Sequence, residues 1–180
     1  MTDDVILRPA LIRDADGIAR VHVETWQSTY AGLVPADYLA RMTVARSSAQ
    51  WHRAAANATK GNDLVVAEID EEIVGFVTFG PSRSKGLPFS GEVFALYVTI
   101  DWQSQGLGRR LLATAFHGLE GEGHRGAHVW VLADNPSRFF YEAMGGQRAG
   151  ERVEEFAGVG LQELAYGWPD LETWTAQTKA

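Results

Sequence analysis

The first third of the chain predicts one strand followed by three helices. The apolar run Val5–Pro9 ends at a proline, which cannot donate to a neighbouring strand, so it predicts a short strand at a sheet edge. Apolar residues recur at helical spacing over residues 12–29. The segments 35–42 and 44–58 predict two further helices, the second rich in alanine.

From Asp63 the pattern changes to β-branched residues. The runs 64–69 and 73–79 flank the acidic turn Asp70-Glu71-Glu72 and predict a β-hairpin. Glu92–Val98 is nearly all apolar, which predicts a central strand buried on both faces. Helices are then predicted over 107–119 and 136–144, and strands over 127–133, 147–156 and 161–168. This order favours an α/β (α+β) fold class, in which helices flank a mixed, mostly antiparallel sheet.

Length and composition narrow the class of protein. The 180 residues fit one domain spanning 1–180, with no apolar run long enough to cross a membrane and no signal-peptide pattern at the start, so we expect a cytoplasmic protein. Cysteine is absent, which excludes disulfides, thiolate metal sites and a cysteine nucleophile. The net charge of -7 disfavours nonspecific nucleic-acid binding. The five histidines lack metal-ligand spacing, so we expect no metal.

A glycine-rich turn, Gln103 to Arg110, joins the predicted central strand to a helix. Glycines allow a tight turn with exposed backbone N–H groups, and the positive end of the helix dipole faces whatever binds there. This arrangement suits a pyrophosphate, although a purely structural turn has the same glycines. Arg109 and Arg110 add charge at its rim or lie on the solvated helix face. The dinucleotide-binding and P-loop patterns are both absent.

The turn resembles the coenzyme A motif of the GCN5-related N-acetyltransferase (GNAT) family, through Gln103, Gly106 and Gly108 after the strand Leu96-Tyr97-Val98. A second family motif, an asparagine followed by a helix with a tyrosine and a closing glycine, matches residues 135–145. The resemblance implies a sheet splayed between its two central strands and acetyl-CoA as the acyl donor. The coenzyme-binding positions it implies are Leu96, Tyr97, Val98, Gln103, Ser104, Gln105, Gly106, Leu107, Gly108, Arg109, Asn135, Arg138 and Phe140.

The chain departs from the family pattern at two places. Ile100-Asp101 stands where a proline commonly follows the strand, and Gly146 stands where an aromatic residue often follows the closing glycine. The first departure affects the turn geometry, and the second affects packing at the helix end.

The resemblance also implies catalytic roles for acyl transfer to a primary amine. It places a backbone N–H donor for the oxyanion near Val98, at a strand bulge. Tyr141 is the candidate general acid for the leaving sulfur, and Glu92 is the candidate base through water. The alternatives are core packing for Tyr141, helix capping alone for Asn135, and a solvated strand end for Glu92. Without cysteine, direct attack in a ternary complex is favoured over an acyl-enzyme.

The acceptor site is less defined by the sequence. Trp26 and Tyr30 lie four residues apart, so they share a helix face and form either an aromatic wall for the substrate or a packing contact with the sheet. Glu24 or Glu92 would attract an ammonium group. The expected partner is an amine-bearing small molecule or peptide, with no nucleic acid and no membrane, and a homodimer is compatible with the sequence. Alternatives are a noncatalytic acyl-CoA-binding module and a phosphometabolite-binding protein without a pantetheine cleft.

Overall fold

The computed structural model describes residues 4–58 and 63–178. Seven strands and six helices are present in this part of the chain. In order they are β1 (Ile6–Pro9), α1 (Ala15–Thr29), α2 (Ala36–Arg41), α3 (Val44–Ala56), β2 (Asp63–Ile69), β3 (Glu72–Pro81), β4 (Gly91–Val98), α4 (Leu107–Gly121), β5 (Ala127–Leu132), α5 (Arg138–Ala143), β6 (Gln147–Phe156), β7 (Val159–Trp168) and α6 (Leu171–Thr178).

The strands form one sheet in the order β1-β2-β3-β4-β5-β7-β6. Only the central pair β4 and β5 is parallel, because α4 crosses over between them, and the remaining pairs are antiparallel. The mixed, mostly antiparallel sheet with flanking helices is the fold class that the element order predicted. β1 lies at the edge, as its terminal proline requires.

Helices cover the two faces of the sheet and create separate cores. On one face α4 buries Leu111, Leu112 and Phe116 against β3, β4, β5 and β7, and α6 packs beside it. On the other face α1 and α3 bury Ile18, Trp51 and neighbouring residues against β2 and β3. The apolar stripe of each helix therefore faces the sheet, as the helical spacing predicted.

The acidic hairpin turn is tighter than the three residues predicted. Asp70 and Glu71 have positive φ values of 47° and 66°, and Glu72 already belongs to β3. Two consecutive residues in the left-handed region match the two-residue turns that suit the twist of a hairpin.

β4 differs from the prediction of a strand buried on both faces. Val93 and Val98 are buried, but the residues from Phe94 to Tyr97 are only half-buried. A β-bulge at Phe94 shifts the pairing, so that Phe79 opposes Val93 while Thr78 opposes Ala95. The bulge was expected near Val98, and that expectation is wrong, because β4 pairs regularly with β3 from Ala95 to Val98.

Several boundaries also differ from the sequence predictions. Residues 12–14 form a 3₁₀ turn before α1, and α5 begins two residues after the predicted Pro136. The helix α6 was not predicted. Residues 59–62, which border the predicted third helix and second strand, lie outside the described part of the chain. No helix among the described residues is long and apolar enough to span a membrane.

Candidate functional site

A cleft opens where the two central strands separate. β4 pairs with β5 only from Gly91 to Val93, although both strands continue beyond that point. The Thr99 N–H bonds to Val74 O on β3. Since N–H groups alternate sides along a strand, those of Leu96 and Val98 face the opposite way, into the cleft. The bulge precedes these donors, and β5 offers them no partner in the described structure.

The glycine-rich turn closes one end of this cleft. Residues 100–102 form a 3₁₀ turn in place of the family proline, so the departure at Ile100-Asp101 is accommodated by a different local structure. The Gln103 side chain donates to Val98 O at 2.9 Å, and the Gln105 side chain donates to Asp101 O at 2.7 Å. Both glutamines thus have a structural role, which is to fix the turn against the end of β4.

Gly106 lies at the N-terminus of α4 with φ of 82°, in the left-handed region that favours glycine. A β-carbon added there would meet no atom within 4 Å, so the space beside its backbone is open. The first N–H groups of α4, which have no partner within a helix, face outward here. An open, electropositive helix start of this kind fits the oxygens of a pyrophosphate.

The side chains of Arg109 and Arg110, which follow the turn, lie in different environments. Arg109 is exposed, whereas Arg110 donates to Val5 O at 2.8 Å and is tied to the chain preceding β1. Of the pair, Arg109 is the one with a freely solvated side chain at the rim.

The second motif contacts the first through Phe140. A β-carbon on Gly108 would lie 3.3 Å from the Phe140 ring, so the glycine allows α5 to pack closely against the first turn of α4. Arg138, also predicted to bind the coenzyme, is half-buried, and its guanidinium lies 4.4 Å from the Phe139 ring centre. The structure therefore brings both sequence motifs to one end of the cleft.

Asn135 makes more contacts than a helix cap. Its Oδ1 accepts from the Ser137 N–H at 2.8 Å, which stabilises the turn before α5. Its Nδ2 donates to the Tyr30 hydroxyl at 3.0 Å, and thereby connects the end of α1 to the end of β5. Both the oxygen and the nitrogen of the Asn135 side chain therefore form hydrogen bonds within the chain.

Tyr141 lies in a group of three tyrosines with Tyr30 and Tyr97. It is 6% exposed, and no described residue forms a hydrogen bond with its hydroxyl. Burial raises the pKa of Tyr141, and the neighbouring Tyr97 raises it further. Burial likewise raises the pKa of Tyr30, with smaller contributions from Tyr97 and Tyr141. All three hydroxyls are therefore protonated at neutral pH.

Gly146, the second departure from the family pattern, lies behind this group. A β-carbon there would be 2.8 Å from the Trp168 ring and 2.9 Å from Tyr141 O. Glycine is needed because Trp168 occupies the space that a side chain would take.

Glu92 is buried, being 4% exposed, and is not the solvated strand end that was the alternative. Its carboxylate accepts from the Arg83 N–H at 2.7 Å and lies 3.5 Å from the Arg83 guanidinium. His128 Nε2 is 3.6 Å away, and burial lowers the pKa of that histidine although Glu92 opposes the effect. Glu92 precedes the separation of β4 and β5 by one residue pair.

Trp26 and Tyr30 make the packing contact with the sheet that was one of their two predicted roles. Their ring centres are 4.5 Å apart, and Trp26 Nε1 donates to the Tyr97 hydroxyl at 2.9 Å. Sequence reasoning missed Tyr38 and Phe156, whose rings approach Trp26 at 6.2 and 5.9 Å from α2 and β6. These half-buried rings form a wall beside the tyrosines. No local pattern signals them, since they come from distant parts of the chain.

Two cavities lie near the two ends of β4. One, of about 270 Å³, lies between α1 and the turn, and its lining includes Arg20, Glu24 and Gln103. Glu24 thus belongs to this cavity, where Arg20 lies 3.7 Å from it. The other, of about 450 Å³, lies under the loop between β3 and β4. Among the described residues no group of acidic, histidine or cysteine side chains could hold a metal ion.

Comparisons with known proteins agree with this geometry. The family model described as Acetyltransferase (GNAT) domain matches residues 60–145. A Bacillus subtilis (strain 168) protein named as an uncharacterized N-acetyltransferase, YuaI, is 38% identical over 168 residues, covering 93% of this chain and 94% of the relative.

Among the solved structures that share the fold are two with a bound coenzyme. PaiA N-acetyltransferase from Thermoplasma acidophilum, solved with coenzyme A, has a TM-score of 0.64 at 20% identity, covering 91% of this chain and 99% of its own. YncA from Salmonella typhimurium, solved with acetyl-CoA, has a TM-score of 0.67 at 17% identity, covering 93% of this chain and 94% of its own. The identity and coverage of the B. subtilis relative show that this chain belongs to the GNAT family of acetyltransferases.

Proposed function

We propose that this protein, as one domain, transfers the acetyl group of acetyl-CoA directly to a primary amine bound in the same complex. The observation that carries the proposal is the separation of β4 from β5 beside the open helix start at Gly106. That arrangement supplies an electropositive end for a pyrophosphate and a slot for an extended pantetheine arm. The B. subtilis relative, named as an N-acetyltransferase, supports the same reaction.

Backbone N–H groups would bind the pyrophosphate and stabilise the developing oxyanion. The open N–H groups from residue 104 to residue 108 would hold the pyrophosphate, with Arg109 adding charge at the rim. The cleft-facing N–H groups of Leu96 and Val98 would donate to the thioester carbonyl oxygen as negative charge develops on it. These donors are fixed by β3 on the far side of the strand, so they need no reorganisation during the reaction.

Tyr141 and Glu92 are the proposed acid and base. The thioester supplies an activated acyl group, so the amine nitrogen bonds to the carbonyl carbon while the carbon–sulfur bond breaks. Tyr141 donates its proton to the departing sulfur and is reprotonated from solvent. Glu92 accepts the proton of the amine through water. With its carboxylate held by the Arg83 N–H, Glu92 still has lone pairs for a water molecule.

Composition also favours the direct route. No cysteine is present to form an acyl-enzyme. The aromatic wall of Trp26, Tyr30, Tyr38 and Phe156 belongs to a different core cluster from Phe140, which packs against the core that α4 forms. Donor and acceptor would then approach the cleft from different faces of the sheet.

The test is release of coenzyme A thiol in the presence of acetyl-CoA and a panel of primary amines. The absence of cysteine means that the protein itself gives no background with a thiol reagent. We expect amine-dependent thiol release together with a mass increase of one acetyl group on the amine. Binding of acetyl-CoA without release across the panel would favour the noncatalytic module, and equal affinity for ADP would favour a phosphometabolite-binding protein.

A further inference from the structure

The larger cavity lies under the loop between β3 and β4, and we call it the acceptor cavity after the role inferred below. It is lined by Arg83, Ser84, Lys85, Gly86, Leu87, Trp130, Ala149, Gly150, Glu151 and Arg152. Trp130 is the first β5 residue after its pairing with β4 ends, so the cavity begins where the cleft opens. Because neighbouring strand residues point to opposite faces and Val129 lies in the α4 core, Trp130 faces away from α4.

Cations predominate in the lining of the acceptor cavity. Arg83, Lys85 and Arg152 contribute positive charge, and Glu151 is the one carboxylate in the lining. That carboxylate already accepts from Arg148 at 2.8 Å, so its charge is largely offset. Arg83 and Arg152 also have carboxylate partners, Glu92 and Glu163, so the excess positive charge of the lining comes from Lys85.

Contacts with neighbouring side chains orient the two arginines. Arg152 Nε donates to the nearly buried Glu163 at 2.7 Å, and its guanidinium lies 4.2 Å from the Trp130 ring centre. The Arg83 guanidinium lies 3.8 Å from the Phe94 ring centre. A guanidinium has five N–H donors, so these contacts orient each group while leaving further donors for a ligand.

Lys85 differs from both arginines. No described residue forms an ion pair with it, although it lines a cavity whose other charged groups are paired. The loop that carries it is fixed at Ser84, whose hydroxyl accepts from Trp130 Nε1 at 2.8 Å and lies 3.2 Å from His128 Nε2. The chain before Lys85 is therefore held in place, and the Lys85 ammonium is an exposed cation at the cavity wall with no ion-pair partner among the described residues.

We infer that the acceptor is a small amine that also carries an oxyanion group, such as a carboxylate or a phosphonate, and that Lys85 with Arg83 and Arg152 binds this anion. This inference rests on the proposed function, because it names the acceptor class of the same site. The anionic end binds under the β3–β4 loop while the amine extends past Trp130 to the cleft. The volume of about 450 Å³ suits a molecule of this size.

The kinetic test uses pairs of acceptors that differ only in the anion. Amino acids of increasing chain length are each compared with their carboxamides, and with aminophosphonates to separate the two oxyanions. Rates are expressed per unprotonated amine, since the amide lowers the amine pKa. We expect kcat/KM to favour the acid over the amide by about tenfold or more, as charge-assisted contacts typically allow. Lys85→Gln should reduce this ratio by about tenfold.

Arg53→Gln is the matched control, because Arg53 is an exposed cation on α3 outside the cavity. It should leave the acid-to-amide ratio unchanged. Lys85→Glu should reverse the preference in favour of the amide. An equal ratio in wild type, or an unchanged ratio in both Lys85 variants, would overturn the inference.

A binding measurement separates this inference from the proposed function. Acid and amide are titrated calorimetrically into the protein saturated with coenzyme A, where no turnover occurs. Tighter binding of the acid that Lys85→Gln abolishes supports the inference even if no amine is acetylated, in which case only the proposed transfer fails. Amines that are acetylated without any preference for the acid would support the transfer and refute the anion site.

Discussion

Replacing Tyr141 by phenylalanine tests the proposed general acid with little disturbance of the fold. The ring remains packed beside Phe140, and no described residue loses a hydrogen bond with the hydroxyl. The free energy of unfolding should therefore change by less than about 1 kcal/mol. Affinity for acetyl-CoA, measured by titration, should also be retained.

The size of the catalytic loss follows from the pKa of the hydroxyl. General acids typically contribute roughly 100-fold to 10,000-fold. The ordinary pKa of a tyrosine, about 10, already exceeds that of a thiol, about 8.5. Burial and the neighbouring Tyr97 raise the pKa of Tyr141 further, so transfer of its proton to the sulfur is incomplete in the transition state. The loss in the single-turnover rate should therefore lie near the lower end of that range. A raised pKa also keeps the hydroxyl protonated, so wild-type turnover should show no alkaline decline from this group up to about pH 10.

Tyr166→Phe is the matched control for this experiment. Tyr166 is also buried, but its hydroxyl donates to Glu142 at 2.6 Å, so its loss should lower stability slightly and leave turnover unchanged. If Tyr141→Phe matches wild type under single-turnover conditions, then Tyr141 is a packing residue and the sulfur leaves unassisted.

Four further changes probe other parts of the account. Gly106→Asp should abolish acetyl-CoA binding, measured by calorimetry, because a carboxylate would occupy the open space beside the start of α4. Gly123→Asp is the control, since Gly123 also has a positive φ and open space beside it, and this variant should bind acetyl-CoA normally. Wild-type affinity in Gly106→Asp would place the pyrophosphate elsewhere. Gly146→Ala should destabilise the protein by about 1–3 kcal/mol in thermal or urea unfolding, since its β-carbon would lie 2.8 Å from a buried tryptophan ring, and an unchanged midpoint would contradict the packing argument. Glu92→Gln should reduce turnover most at low pH and recover in alkaline buffer, where free amine is abundant, while a pH-independent loss would assign the residue a structural role. Burial lowers the pKa of His22 to about 4, so between about pH 6.5 and 4 the unfolded state binds more protons than the folded state. The free energy of unfolding should therefore fall on acidification in this range, by up to about 1.4 kcal/mol per pH unit from this group. His22→Gln should flatten this pH dependence, and an identical slope would show that other groups cause it.

The sequence predicted the elements well where the pattern was long and the turn residues were specific. The hairpin from Asp63 to Pro81, the crossover helix α4 and the final hairpin all lie close to their predicted bounds. The helix α6 was missed because it is short and its apolar residues, such as Leu171 and Trp174, are few.

The candidate site was predictable only where it depends on local backbone. The open glycine at 106 follows from the motif, since positive φ favours glycine. A continuous apolar run does not show where a bulge lies, so the sequence could not correct the expectation of a bulge near Val98 to its observed position at Phe94. Contacts such as Asn135 with Tyr30 join residues that are 105 positions apart, and no sequence spacing encodes them.

The sequence did not predict the acceptor cavity either. Lys85 and Arg83 belong to a loop of glycine, proline and serine residues that had no predicted role, and Arg152 belongs to the edge strand β6. Their convergence depends on the order β4-β5-β7-β6, which places the loop and the final hairpin on the same side of the sheet.

The most direct test of the central claim is a crystal structure of the protein with coenzyme A. The pyrophosphate should accept from the backbone N–H groups between Ser104 and Gly108, and the pantetheine arm should lie between β4 and β5. The sulfur should lie within about 3.5 Å of the Tyr141 hydroxyl. Coenzyme A bound outside this cleft, or a sulfur distant from Tyr141, would contradict the account.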